Sequence, residues 1–170
     1  MSGCFGKSDA TGRSSGKMTA ADRKRRGPPQ GEPWTWLTRE LLASPSWRAL
    51  SINGYRLMSF LLVEHCNHAG RENGRLMATH EQLKAYGMTS DAIRQVIDEC
   101  VALGLIEHTR GGRWGGTNKP STFRLTFYAD AEGSPPTNDW KRFTVEHLVE
   151  LRNQRSGKRI KVQNQKAASE

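Results

Sequence analysis

The densest chemistry in this sequence is cationic. Arg23-Lys24-Arg25-Arg26 stands near one end and Lys158-Arg159-Ile160-Lys161 near the other. Runs of this kind suit a polyanion, whose oxygens accept charge-assisted hydrogen bonds from guanidinium and ammonium groups. His65-Cys66-Asn67-His68 is the only cluster with donor types suited to a metal ion. It lacks the second ligand pair of a closed site, so no metal is expected. There is no glycine-rich phosphate loop followed by Lys and Ser or Thr, no nucleophile elbow, and no carboxylate pair spaced for a cleft. His80 and His108 fall at element boundaries, as surface or capping residues rather than catalytic ones. These residues point to a binding protein rather than an enzyme, with no cofactor and no small-molecule ligand.

Composition narrows the partner. The chain has 170 residues, enough for one compact core with attached tails, and 26 Lys and Arg against 17 Asp and Glu give a net charge of +9. Such a surplus points first to nucleic acid. Residues 1–31 hold seven basic against two acidic residues and residues 141–170 hold eight against three, so each end carries +5 and the stretch 32–140 only −1. A nearly neutral core cannot make a strong phosphate footprint by net charge, so the tails must add affinity. No run approaches the roughly 18 apolar residues that span a bilayer, and Gly, Ser and Lys stand where a secretory signal is apolar. A cytoplasmic protein with no membrane partner is expected. Cys4, Cys66 and Cys100 are odd in number and far apart, which fits reduced thiols.

The elements follow from caps and periodicity. Residues 1–31 have too little apolar surface to offset the entropy of folding and are expected to be a disordered basic arm. Thr38 can cap a short helix from Arg39 to Ala43, and Ser44 with Pro45 can start another, with Trp34, Trp36, Leu37, Leu41, Leu42 and Trp47 packing on the domain. Ser51 can cap a long helix to about Asn67, with Ile52, Tyr55, Met58, Leu61 and Leu62 as its apolar face. Arg75 to Ala78 is short enough for an edge strand. Thr79 caps a helix to Tyr86 with Leu83 and Tyr86 facing inward, Gly87 ends it, and Thr89 or Ser90 caps the next, to Leu103. Ile93, Val96, Ile97, Cys100 and Val101 form its buried stripe, leaving Asp91, Arg94, Gln95, Asp98 and Glu99 outward. Gly104 stops it. Leu105 to Thr109 and Thr122 to Tyr128 then read as two strands of a hairpin around a long flexible loop, 111–120. Beyond Tyr128 comes a linker, 133–138, and a helix from Val145 to about Arg155 capped by Thr144, with Val145, Leu148 and Leu151 as a stripe for the domain or for a second subunit.

Helix, glycine turn, helix and hairpin, with Ala102-Leu103-Gly104-Leu105-Ile106 joining the second helix to the first hairpin strand, resemble a winged helix-turn-helix module of the bacterial regulator and plasmid or phage replication-initiator type. The match runs from Ser51 to Tyr128. Leu37-Thr38-Arg39-Glu40-Leu41-Leu42 and Gly70-Arg71-Glu72-Asn73-Gly74-Arg75-Leu76 are also similar to helix-turn-helix proteins of proteobacterial plasmids and prophages. The fold class expected is mainly α with a small β-wing, α+β, divided into the arm 1–31, the domain 32–130 with its helical extension, and 131–170 as linker, short helix and basic tail.

The resemblance implies that the second helix enters the major groove of double-stranded DNA and that the wing reaches phosphates or the minor groove. Thr89, Ser90, Arg94 and Gln95 would then meet bases. Arg94 can donate twice to guanine, and Gln95 can donate to and accept from adenine. Asp98 and Glu99 would point away from phosphates or shape specificity by repulsion. Arg110, Arg113, Trp114 and Lys119 are the wing contacts, Trp114 being as well suited to packing across the hairpin base. Arg23, Lys24, Arg25, Arg26, Lys158 and Arg159 are the tail contacts to phosphate. The function implied is sequence-specific DNA binding in transcription or in replication of a mobile element, with a homodimer or protein partner as a further expectation. A protein-docking adaptor is the alternative, since fold alone does not fix function.

Overall fold

The first three helices start where a hydroxyl accepts a free amide of the first turn. Thr38 Oγ1 accepts from Leu41 N at 3.2 Å to open α1, Arg39–Ala43. Ser44 Oγ accepts from Trp47 N at 3.1 Å to open α2, Pro45–Arg48, whose first residue needs no partner for an amide hydrogen. Ser51 Oγ accepts from Gly54 N at 3.0 Å to open α3, Ile52–Asn67. The computed structural model describes residues 31–114, 117–147 and 149–150, without the side chains of 113–119. The basic segments 1–30 and 151–170 therefore lie outside the described residues. The chain divides after Trp34, and the second unit holds every element named here.

After α3 come β1, Leu76–Met77; α4, His80–Ala85; α5, Ser90–Ala102; then β2, Ile106–Thr109; β3, Gly112–Trp114; β4, Thr117–Lys119; and β5, Thr122–Leu125. The fold is α+β: helices with a three-stranded antiparallel sheet of order β1-β5-β2, so β1 is an edge as expected. Leu76, Leu57, Leu61, Leu83, Ile93, Leu103, Leu105, Phe123 and Leu125, each at most 1% exposed, form the core between sheet and helices. Among the described residues no helix is long and apolar enough to cross a membrane.

Four sequence expectations are corrected. The inward face of α3 is Gly54, Leu57, Met58, Leu61 and His65. Ile52 is 75% exposed and Tyr55 39%, because this helix carries apolar residues on two opposite sides and periodicity alone does not choose the side that meets α5. Tyr86 likewise stays 40% exposed, lying edge-on to Phe60 at 5.5 Å rather than entering the core. The segment 111–120 is not a loop. Gly112 pairs with Lys119 and Trp114 with Thr117, so the hairpin continues beyond Thr109↔Thr122 after a break at Arg110-Gly111 and Pro120-Ser121. The residues between Trp114 and Thr117 are both Gly, the composition a two-residue hairpin connection favours and also the composition of a flexible loop.

The fourth correction is the end of β5 at Leu125 rather than Tyr128. Asn73, wholly buried, donates its amide to the carbonyls of Leu125 (2.9 Å), Tyr128 (3.2 Å) and Ala129 (3.0 Å) and accepts from Leu125 N (2.7 Å). This side chain folds the strand end into a turn, so that Phe127 and Tyr128 are both buried. Tyr128 then stacks on His65 at 4.5 Å, meets Trp36 edge-on at 4.8 Å, donates its hydroxyl to the Trp36 carbonyl and accepts from Thr35 Oγ1 at 2.6 Å. That anchors the start of this unit, although Trp36 and Leu42 remain 48% and 41% exposed and Leu41 alone of the expected cluster is fully buried.

The chain closes against the far end of α5. A 3-10 turn, Asp139–Arg142, buries Trp140, whose carbonyl accepts from Ser46 Oγ at 2.8 Å. Residues 145–147 and 149–150 are helical, with Val145 61% and Val149 54% exposed. Val145 thus lies in solvent rather than on the domain, while the side chain of Leu148 and all of Leu151 fall outside the described residues.

Candidate nucleic-acid interface

The helix pair α4–α5 is defined by caps and closed by distant contacts. Thr79-His80-Glu81-Gln82 forms a reciprocal capping box, with Gln82 N donating to Thr79 Oγ1 at 3.2 Å and Thr79 N to Gln82 Oε1 at 2.9 Å. The glutamine three residues after the threonine is the signal for it. At the other end Gly87 takes φ +88°, its amide donating to Lys84 O at 2.9 Å and that of Met88 to Leu83 O at 3.1 Å. This pairing satisfies the last carbonyls of α4 and drives Met88, 4% exposed, into the core as the anchor of the turn.

Thr89 is the residue that precedes α5, and its side chain makes no cap hydrogen bond. Ser90 is the first helical residue rather than the cap. Ile93, Val96 and Cys100 form the buried stripe. Thr89, Ser90, Asp91, Arg94, Gln95 and Asp98 are all exposed, so the four side chains expected at bases share the solvent side of one helical start. Val101 is 42% exposed and does not extend the buried stripe.

Two side chains tie α5 and the turn before it to α3: Arg56, which has no role in the sequence reading, and Glu99, which was expected on the outward face. In the turn before α5, Gly87 O accepts from Arg56 at 2.6 Å, and the same guanidinium donates to Asn53 Oδ1 at 2.9 Å. Near its end, Glu99 accepts from Ser51 N at 2.6 Å and Ser51 Oγ at 2.8 Å, adding an anion to the N-terminus of α3. Glu99 is therefore a clamp on α3, not part of the open polar face. No local signal marks either contact, since each joins residues far apart in sequence.

On the hairpin side, α4, α5, β2 and β5 enclose a cleft of about 290 Å³ lined by His80, Arg94, Asp98, His108, Arg110 and Ser121 over Ile93, Ile97 and Phe123. Arg110 is exposed at the hairpin break, where Gly111 N donates to Ser121 Oγ at 3.1 Å. Arg94 and Arg110 thus line one cleft. Arg113, Trp114 and Lys119 lie beyond the break, in the β3–β4 ladder, with Trp114 the last residue before its tip. That backbone position is far along the hairpin from its base. The open face of α5 carries the carboxylates of Asp91 and Asp98 against the single guanidinium of Arg94. The tail residues Arg23, Lys24, Arg25, Arg26, Lys158 and Arg159 lie outside the described residues.

Three histidines each meet a neighbouring side chain. His65 stacks on Tyr128, while His68 pairs with Glu64 at 3.1 Å one turn back, so the two rings do not converge. His108 stacks on Phe123 at 4.9 Å. Among the described residues neither His65 Nδ1 nor His108 Nε2, both buried, has a hydrogen-bond partner. Burial holds the His65 imidazole below its ordinary range. His108 is held down by burial first, with Asp98 pulling it up and Arg110 adding to the downward push. The unfolded chain therefore takes protons onto these rings before the folded chain does. Stability from this source is complete above about pH 6.5 and is lost as pH falls through the lowered folded values. Urea midpoints are expected to drop from about pH 7.5 to about pH 5.5. His65→Phe keeps a ring on Tyr128 without a proton site and should reduce that drop; an unchanged slope would assign it to other groups.

No family model matches this chain, and neither the curated proteins nor the solved structures give a match.

Proposed function

We propose that the segment from Ser51 to Tyr128 is a winged helix-turn-helix and that the protein binds double-stranded DNA sequence-specifically, as a transcriptional regulator or a replication-associated factor of a bacterial mobile element. In this reading α5 is the recognition helix and the hairpin from β2 to β5, with its β3–β4 extension, is the wing. The observation that carries it is the clamped α5: tied to α3 by Glu99 near its end and through Arg56 on Gly87 in the turn before it, it exposes Ser90, Arg94 and Gln95, and the hairpin brings Arg110 to the cleft that Arg94 lines. A rigid helix can hold a bidentate side chain in the geometry a base edge requires.

Arg94 serves as the guanine reader and Gln95 as the adenine reader, with Thr89 and Ser90 at base or phosphate. Arg110, Arg113, Trp114 and Lys119 supply wing contacts, and the basic ends supply counterion release, which a near-neutral centre does not. A duplex selected from a random pool by the full chain gives the test. Arg94→Ala with Gln95→Ala is expected to lower preference for that duplex over random sequence by at least about 30-fold, each of the two bidentate pairs being worth about 1–3 kcal/mol. Affinity for random duplex should persist and fall steeply with salt.

The second reading is a protein-docking adaptor, and Asp91 and Asp98 on the open face of α5 favour it, because carboxylates are poorly placed beside phosphates. Fluorescence anisotropy distinguishes the two. No binding of the full chain to any duplex at low salt would sink the DNA reading and leave the adaptor.

A further inference from the structure

We propose that Asn73-Gly74 is a self-modification site, closed by the fold and open in the unfolded chain, where deamidation turns reversible unfolding into permanent loss. The proposal is independent of what α5 binds. Asn53-Gly54 and Asn73-Gly74 are the two places where asparagine precedes glycine. Glycine has no Cβ to hinder its own nitrogen, and its backbone reaches conformations that bring that nitrogen onto the preceding side chain. The chemistry needs only water. Gly74 N, having lost its proton to hydroxide, attacks Cγ of Asn73 and forms a C–N bond. The bond from Cγ to Nδ2 breaks, and the nitrogen leaves as ammonia with a proton from water. A second water opens the cyclic imide at either carbonyl, leaving aspartate or isoaspartate, in which the main chain runs through the side-chain carbon. Nothing is oxidised or reduced.

The fold withholds both reacting atoms. Asn73 is wholly buried, with Nδ2 donating to the carbonyls of Leu125, Tyr128 and Ala129 and Oδ1 accepting from Leu125 N. Ring closure moves Cγ onto the next nitrogen and pulls the amide off these partners. Gly74 N in turn donates to Phe123 O at 3.2 Å, so β5 holds the proton that must leave, and Asn73 O accepts from Ala131 N at 2.8 Å. Burial also disfavours the nitrogen anion that attacks.

The product does not fit the place the amide left. An aspartate at position 73 faces three carbonyls with two oxygens and no donor. Isoaspartate adds a main-chain carbon just before β1, where Leu76 must pair with Phe123. Neither product refolds at neutral pH. The other pair differs: Asn53 stands in the first turn of α3, half-buried, and its Oδ1 accepts from Arg56 at 2.9 Å, a contact aspartate keeps and strengthens by charge. Position 73 therefore sets how long this chain can stay unfolded and still return.

The full chain is held at mildly alkaline pH, in guanidinium chloride and in buffer alone, and residue 73 is read by peptide mapping. Conversion is expected to be at least about 100-fold slower in buffer, because a stable domain is unfolded for only about one part in 1,000 or less. After dilution out of denaturant at neutral pH, the folded fraction should hold asparagine at 73 and the unfolded fraction aspartate or isoaspartate. Asn53→Asp removes the other pair and should leave the decay of refolding yield unchanged. Gly74→Ala is strained at φ +93° but roomy, since a Cβ there meets nothing nearer than Asp130 Cβ at 3.8 Å. It should slow that decay about tenfold. Equal conversion in folded and unfolded chain, aspartate at 73 in the folded fraction, or a decay that Gly74→Ala does not slow would each overturn the proposal.

Discussion

Asn73→Asp is expected to remove most of the stability of the domain, on the order of 4–5 kcal/mol, read as a collapse of the urea midpoint by tryptophan fluorescence. The native side chain is wholly buried and donates to the carbonyls of Leu125, Tyr128 and Ala129 while accepting from Leu125 N. Aspartate keeps the acceptor but turns a second oxygen onto those carbonyls. It also buries a charge with no cation among its direct partners. A domain holds only about 5–15 kcal/mol in total, so a loss of this size decides whether the chain folds.

The sign of its pH dependence separates this mechanism from a general weakening. In the variant, burial and the carbonyl ring raise the carboxyl above its unfolded value. The penalty is then complete at neutral pH and shrinks as pH falls through that raised value, where the protonated acid donates one hydrogen bond. The variant should regain stability from about pH 7 to about pH 5, whereas the buried histidines make the wild type lose it. Asn73→Ala, which strands the same backbone groups without adding charge, should be destabilised without the acid recovery. A variant that loses stability in acid as the wild type does would show that the aspartate escapes to solvent.

Gly104→Ala is the second large effect, expected at about 3 kcal/mol. Gly104 ends α5 at φ +67°, with its amide on Val101 O at 2.9 Å and that of Leu105 on Cys100 O at 3.1 Å. A left-handed alanine costs about 1 kcal/mol. The larger part comes from contact: a Cβ here would stand 2.7 Å from the carbonyl carbon of Asp139 and 2.8 Å from both its oxygen and Trp140 N. Neither backbone group can yield without lifting Trp140 from the core. Gly87→Ala is the control, since Gly87 has φ +88° but a Cβ there meets nothing nearer than Arg56 Cζ at 3.6 Å. It should show the conformational cost alone. Equal losses in the two variants would mean that the close approach of the 3-10 turn carries no energy.

The candidate site was half legible. Arg94, Gln95, Ser90 and Thr89 were placed on an open helical start by the stripe Ile93, Val96 and Cys100, and that placement holds because a buried stripe on a short helix leaves only one side free. Glu99 and Arg56 were not legible as clamps. A glutamate on a polar helix face looks the same whether it meets solvent or the N-terminus of another helix. The cleft joining Arg94 to Arg110 also required the fold, because its walls come from four separate elements.

What the sequence determined by itself was local. Thr38, Ser44, Ser51 and Thr79 start helices, and Gly87 and Gly104 stop them, because each acts on amides or carbonyls within four residues of its own position. The tertiary structure decided what depends on partners far along the chain. It chose the side of α3 that turns inward, where apolar residues on two opposite sides left the choice to α5. It ended β5 at Leu125, where strand propensity continues but Asn73 captures the backbone. It also extended the hairpin through Gly112 and Lys119, where cross-strand pairing outweighs a glycine-rich composition.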